Sequence, residues 1–97
     1  MFEITFTPEA ADDLAALKKN EQVEVVDAIE TQLSYEPTTK TRNRKPLRPN
    51  EVAEWELRIG KFRVLYDVDE NGRIVRIKVV GFKIGNLLFV RGRKKEL

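Results

Sequence analysis

The 97-residue sequence predicts an α+β fold in the order β-α-α-β-β-β, an antiparallel meander sheet with two helices packed on one face. Three observations predict it. Phe2-Glu3-Ile4-Thr5-Phe6-Thr7 alternates apolar and polar residues at the period of a half-buried strand. From there to Pro37, apolar residues recur at helical spacing. Two hairpin signals, Gly60-Lys61 and Asn71-Gly72, then divide the second half into strands.

Thr7-Pro8-Glu9 reads as an N-cap, a proline at the first helical position and an acidic first turn. Ala11, Leu14, Ala15 and Leu17 form the first helix's apolar stripe, and Lys18-Lys19 suit the negative end of its dipole. Asn20 ends it and caps a second helix, with Val23, Val26, Ile29 and Leu33 on one side and Pro37 as its stop near Tyr35. Helices joined this tightly form an antiparallel pair. Residues 36–53, with Pro37, Pro46, Pro49 and Asn50, read as a loop.

Gly60-Lys61 suits a type II′ turn, which pairs Ile59 with Phe62, Arg58 with Arg63 and Trp55 with Tyr66. Asn71-Gly72 suits type I′, pairing Val68 with Val75, Asp67 with Arg76, Leu65 with Lys78 and Val64 with Val79. Both counts place Trp55, Leu57, Ile59, Phe62, Val64, Tyr66, Val68, Val75, Ile77 and Val79 on one face, the one the helices should cover. A slip of one residue would invert every one of them. Gly81 breaks the pattern, and Leu87-Leu88-Phe89-Val90 is expected as a short last strand.

There is no Cys and no His, which excludes disulfides, thiol nucleophiles, Ser-His and Cys-His catalytic sets, and zinc sites built on those ligands. The length suits a single domain, 1–97, and no run approaches the roughly 20 apolar residues of a membrane span. Met1-Phe2-Glu3-Ile4 does not open a signal peptide, so a cytoplasmic protein is expected. The net charge of +2 hides an asymmetry: residues 1–39 carry −7 and residues 40–97 carry +9. Within the basic half, Lys40-Thr41-Arg42-Asn43-Arg44-Lys45-Pro46-Leu47-Arg48 has five bases and no acid, and 91–97 is a candidate flexible basic tail. Such a distribution suits a polyanionic partner or a solvated surface.

The face away from the helices is expected to carry Glu56, Arg58, Arg63, Leu65, Asp67, Arg76, Lys78 and Val80. Arg58 and Arg63 stand opposite each other, which destabilises a sheet by some tenths of a kcal/mol unless something neutralises them. Two readings stay open: a network with Glu56, or an anion site in which two guanidinium forks hold a phosphate. Asp67 and Arg76 form a cross-strand ion pair, and Trp55 and Tyr66 are packing residues. Lys83 is either solvated or placed over the Arg58–Arg63 patch. Gly81 and Gly85 lack the strand–helix context of a phosphate loop, and Asp67, Asp69 and Glu70 lack metal-ligand spacing.

In combination, Lys45-Pro46-Leu47, the run Trp55-Glu56-Leu57-Arg58-Ile59-Gly60-Lys61-Phe62-Arg63-Val64-Leu65-Tyr66, Val80-Gly81-Phe82-Lys83 and Gly85-Asn86-Leu87-Leu88-Phe89 resemble the RelE/ParE superfamily of bacterial type II toxins, on the RelE side. The resemblance covers almost the whole chain. It implies a cytoplasmic mRNA interferase that cuts mRNA on the ribosome, using the ribose 2′-OH as nucleophile and neither metal nor cofactor. It further implies a small antitoxin partner that wraps the toxin in a hetero-oligomer. By position, Arg63 matches the arginine that binds the scissile phosphate, Arg58 a basic residue on the preceding strand, and Lys83 an arginine that steadies the leaving oxygen. Glu56 stands where well-known members have a lysine, and Phe89 where they have a tyrosine. Phe89 stacks but transfers no proton, which leaves Glu56 and Lys83 as the general-base candidates. Arg42, Arg44, Lys45, Arg48, Lys78 and Phe89 are expected to contact RNA. The superfamily's other branch, ParE-like inhibitors of DNA gyrase without catalysis, is the alternative.

Overall fold

The computed structural model describes residues 1–90 and the backbone of 93–95. In chain order it contains β1 (Glu3–Phe6), α1 (Pro8–Ala15), α2 (Lys19–Leu33), β2 (Arg44–Pro46), β3 (Trp55–Ile59), β4 (Phe62–Asp69), β5 (Ile74–Ile84), β6 (Leu87–Val90) and β7 (Arg93–Lys95). Strands β2 to β7 lie side by side in sequence order, each antiparallel to the next, while β1 pairs with β5 in parallel. The sheet is therefore mixed, not purely antiparallel. The expected loop over 36–53 contains a strand, β2, whose Pro46 is tolerated because β2 is an edge strand.

Thr7 caps α1 as its sequence requires: its Oγ1 accepts the Ala10 N–H at 3.1 Å, with Pro8 in the first turn. The helix stops at Ala15, earlier than Asn20. Lys18 precedes the first residue of α2, and its backbone N–H donates to Glu21 Oε1 at 3.1 Å. Lys18, Lys19 and Asn20 thus belong to the entry of α2. The Gln22 side chain closes the joint by donating from Nε2 to the Leu17 carbonyl at 2.9 Å. The buried stripe of α2 is Val25, Ile29 and Leu33, with Val23 facing solvent at 55% exposure.

These side chains meet Leu57, Val64, Tyr66, Val75, Ile77 and Val80 in the main core. Burial of each large aliphatic contributes about 1.5–3 kcal/mol. Trp55 stacks on Tyr66 at 6.3 Å between ring centroids, as packing residues do. The Tyr66 hydroxyl donates to the Pro37 carbonyl at 2.7 Å, and burial raises its pKa. That bond fixes the exit of α2 to the centre of the sheet.

Between β3 and β4 the register is the one counted from the turn, and Gly60 takes φ +55° as a type II′ loop needs. Pairing of β4 with β5 also begins as expected, through Val68–Val75 and Asp67–Arg76. The loop between them spans residues 70–73, and Arg73, at φ +57°, adopts the left-handed conformation. Beyond Tyr66–Ile77 the register shifts: Leu65 pairs with Val79 and Val64 with Val80, leaving Lys78 as the additional residue of a bulge. The expected faces of Val79 and Val80 are therefore exchanged.

The outer face is not bare. Leu65, Val79, Leu88, Val90 and Ala53 form a second buried cluster, covered by Leu47 and Val52. Asn50 shapes that cover: its Oδ1 accepts the N–H groups of Val52 and Ala53, and its Nδ2 donates to the carbonyls of Arg48 and Ala53.

Strand β5 continues through Gly81, whose role is close approach. A Cβ there would lie 2.5 Å from the Phe89 carbonyl oxygen and 3.1 Å from Val90 Cγ2. Gly81→Ala is expected to destabilise the protein by about 1–3 kcal/mol, checked by urea titration; an unchanged midpoint would show that β6 yields at no cost. On the same edge, β1 stops at Phe6–Ile77 and β6 starts at Phe82–Phe89, leaving backbone groups between them. Helix α1 satisfies these. Asp13 Oδ2 accepts the Val80 N–H at 3.1 Å, and Thr7 Oγ1 donates to the Lys78 carbonyl at 3.4 Å.

Among the described residues no helix is long and apolar enough to cross a membrane. The basic tail expected over 91–97 lies outside the described residues, apart from the backbone of β7 beside β6.

Candidate anion-binding site

The β3–β4 hairpin places Arg58 and Arg63 directly opposite each other, on the face away from the helices. Arg63 is only 9% exposed. Its Nη1 donates to the carbonyls of Gly60 at 2.7 Å and Phe62 at 2.8 Å, so the turn's own backbone fixes the guanidinium. Its Nε is buried without a hydrogen-bond partner, and Glu56 Oε1 lies 4.0 Å away. Desolvation, and then the charge of Arg58, lower the Arg63 pKa; Glu56 works in the opposite direction. An arginine so placed still stays charged at any working pH.

Glu56 is 3% exposed, and a second cation approaches it: Lys45 Nζ stands 3.8 Å from the same Oε1. This contact exists because β2 pairs with β3, setting Lys45 opposite Glu56. Arg58 is exposed, and its backbone N–H donates to the Asn43 carbonyl at 2.7 Å, holding the basic 40–48 segment beside β3. Lys83 joins the group by register. Gly81 is opposite Arg63, so Lys83, two residues on, shares the outer face. Its backbone N–H is fixed to the Lys61 carbonyl at 2.9 Å.

The hairpin end of the outer face thus carries Arg58, Arg63 and Lys83, with Arg63 and Lys45 beside the buried Glu56 carboxylate. Glu56 lies in a network with Arg63 and Lys45, as one reading expects, and Arg58 is exposed. An excess of cations over carboxylates is what an anion would require, and a guanidinium already held in place loses little entropy on binding.

Other candidates lie elsewhere. Arg44, expected on RNA, is 7% exposed and faces the helices because it pairs with Leu57. Its Nε donates to the Thr39 carbonyl at 3.1 Å, its Nη1 donates to the Gln32 carbonyl, and its Nη2 lies 3.9 Å from Glu36. It is a clamp on the end of α2. Phe89 stacks on Phe82 at 5.8 Å, on the sheet face opposite Arg63, and so stands outside the cluster. Lys78 is engaged by Asp67 at 3.7 Å, displacing the expected Asp67–Arg76 pair. It lines a cleft of about 250 Å³ with Thr7, Glu9, Asp13 and Glu51, away from the hairpin end. Arg42 and Arg48 are exposed on the segment flanking β2. The sequence reading places Lys45 in a loop, as an RNA contact, since nothing in a run of bases marks one of them as a strand residue facing a buried carboxylate.

Residues 4–81 match the family model described as the ParE toxin of the type II toxin-antitoxin system parDE. Among solved structures, the chain is similar to one in the toxin-antitoxin complex RelBE2 from Mycobacterium tuberculosis. That match has 32% identity and a TM-score of 0.73, over 84% of this chain and 98% of that one. A chain of the archaeal RelE-RelB complex from Pyrococcus horikoshii OT3 is 21% identical, with a TM-score of 0.64, over 95% and 97%. The YoeB/ParE toxin from Agrobacterium tumefaciens is 18% identical, with a TM-score of 0.68, over 86% and 100%. These last two share the fold. No curated protein sequence is a significant match.

Proposed function

Because the chain belongs to the RelE/ParE superfamily of type II toxin-antitoxin toxins, we propose that it acts in the cytoplasm as a ribosome-dependent endoribonuclease. The observation that carries this reading is the pair Arg58 and Arg63, opposed on a sheet face that, among the described residues, no helix covers, with Lys45 and Lys83 on the same face. A phosphodiester of mRNA is the anion that suits such a site. In the proposed step the ribose 2′-OH attacks the adjacent phosphorus and the bond to the 5′ oxygen breaks, leaving a 2′,3′-cyclic phosphate and a free 5′-OH. The arginines neutralise the charge that gathers on the phosphoryl oxygens, and Lys83 steadies the departing oxygen. Glu56 accepts the 2′ proton in this step, and the departing 5′ oxygen takes a proton from Lys83 or water. Arg42 and Arg48 contact the flanking RNA backbone, an interaction that weakens steeply with salt.

The partner that accompanies this reading is an antitoxin, as in the RelBE2 and RelE-RelB complexes, binding this chain in a hetero-oligomer. Purified protein added to translating ribosomes is expected to cut mRNA within codons, read by primer extension. Intact message, under conditions in which a control toxin cuts, would refute the proposal. A second reading is favoured by the ParE identity of the matching family model: inhibition of DNA gyrase without catalysis. A supercoiling assay separates the two, since loss of supercoiling with intact mRNA fits only the second.

A further inference from the structure

We propose that Glu56 is a built-in counter-ion: its carboxylate lies across the Arg63–Lys45 part of the anion site and sets how strongly that site holds RNA. The inference rests on the nuclease reading for the identity of the anion, but on geometry for the rest. Glu56 is 3% exposed, in a position that costs a carboxylate its hydration. It lies 4.0 Å from Arg63 Nε and 3.8 Å from Lys45 Nζ, both longer than a hydrogen bond. Arg63 Nη1 is already engaged by two backbone carbonyls. Its Nε is buried without a hydrogen-bond partner. The carboxylate therefore neutralises the cations without saturating them. A phosphate approaching Arg63 and Lys45 meets a negative charge already between them, and binds by sharing or displacing it.

The device has a physical use. Without Glu56, two cations on the strands flanking β3, with Arg58 beside them, would repel one another in the free protein and hold any polyanion tightly. With it, the site discriminates for a ligand able to supply more than one anionic oxygen.

The test is Glu56→Gln, which keeps shape and removes one negative charge. Binding of a short single-stranded oligoribonucleotide is followed by fluorescence anisotropy across a salt series. Affinity is expected to rise about tenfold near 0.1 M salt, with the slope of log K against log salt steeper by about 0.7. Inorganic phosphate is expected to raise the Tm of Glu56→Gln more than that of the wild type, because the anion replaces the missing counter-ion. Glu56→Ala, read in the same two assays, guards against an effect peculiar to the amide. Unchanged affinity and slope would overturn the proposal. So would weaker binding by a variant that melts cooperatively, which would make Glu56 a positioning residue for Arg63, or wild-type protein that binds no RNA. Failure of the nuclease reading looks different: bound RNA that depends on Arg58 and Glu56 as stated, but no cleavage on ribosomes.

Discussion

Replacing Arg63 by Ala is expected to lower mRNA cleavage on ribosomes by at least about 10²–10³-fold, the loss typical when one preorganised charge facing a developing oxyanion is removed. The size follows from where the guanidinium sits. It is largely desolvated, its orientation is fixed by the Gly60 and Phe62 carbonyls, and Arg58 stands opposite. Charge stabilisation of this kind requires no reorganisation at the moment of reaction. Arg63→Lys is expected to restore little, because a point charge on a flexible stem reproduces neither the fork nor its double anchor. The same anchors give Arg63 a structural share, so Arg63→Ala also loses about 1–3 kcal/mol of stability. Arg58→Ala separates the two effects. Arg58 is exposed and faces a like charge, so its removal relieves repulsion worth some tenths of a kcal/mol while weakening the anion site. The expected pattern is therefore two poorly active variants with opposite changes in Tm. Two folded variants that cleave like the wild type would remove these residues from the chemistry.

This pattern depends on the Arg58–Arg63 opposition, which was legible in the sequence because Gly60-Lys61 admits few hairpin geometries and alternation does the rest. The helix-side core was legible for the same reason. What escaped detection shares one physical feature: it is decided by partners distant in sequence. The bulge at Lys78 hides in Ile77-Lys78-Val79-Val80, where two adjacent valines satisfy an apolar face in either register. Only packing shows which one joins Leu65 under the 47–53 cover and which joins the helices. Strand β1 reads correctly as a strand, yet its parallel pairing with β5 is set by how the helical pair returns across the sheet. Phe89 alternates in a strand whose face is fixed only by pairing with Phe82, which in turn pairs with Phe62.

Strand β2 is the most consequential of these. Its three residues include a proline and sit in a basic run, so composition points to solvent. Once paired with β3, alternation applies: Arg44 turns inward beside Leu57, and Lys45 turns outward to Glu56. One short strand thus separates two adjacent bases into a structural role and a site role.

Arg44→Ala is accordingly expected to damage the fold far more than RNA binding. The guanidinium serves the carbonyls of Thr39 and of Gln32, the latter in the last turn of α2, where carbonyls lack helical partners and the dipole is negative. Truncation leaves those acceptors unsatisfied, opens space beneath them, and frees the segment that connects α2 to β2. A buried charged donor lost from two such bonds costs about 3 kcal/mol, which in a domain of this size lowers Tm by about 12–24 °C. Arg44→Lys is expected to recover part of the charge interaction with the helix end but not the two-carbonyl fork. Oligoribonucleotide affinity, measured well below the lowered Tm, should match the wild type for Arg44→Ala and fall for Lys45→Ala, since only Lys45 faces the anion site. If the reverse were found, with Arg44→Ala melting normally and losing RNA, then Arg44 would have to leave its clamp to bind. Two carbonyls and the nearby Glu36 would first have to be given up, and a single exposed phosphate contact is too weak to repay that exchange.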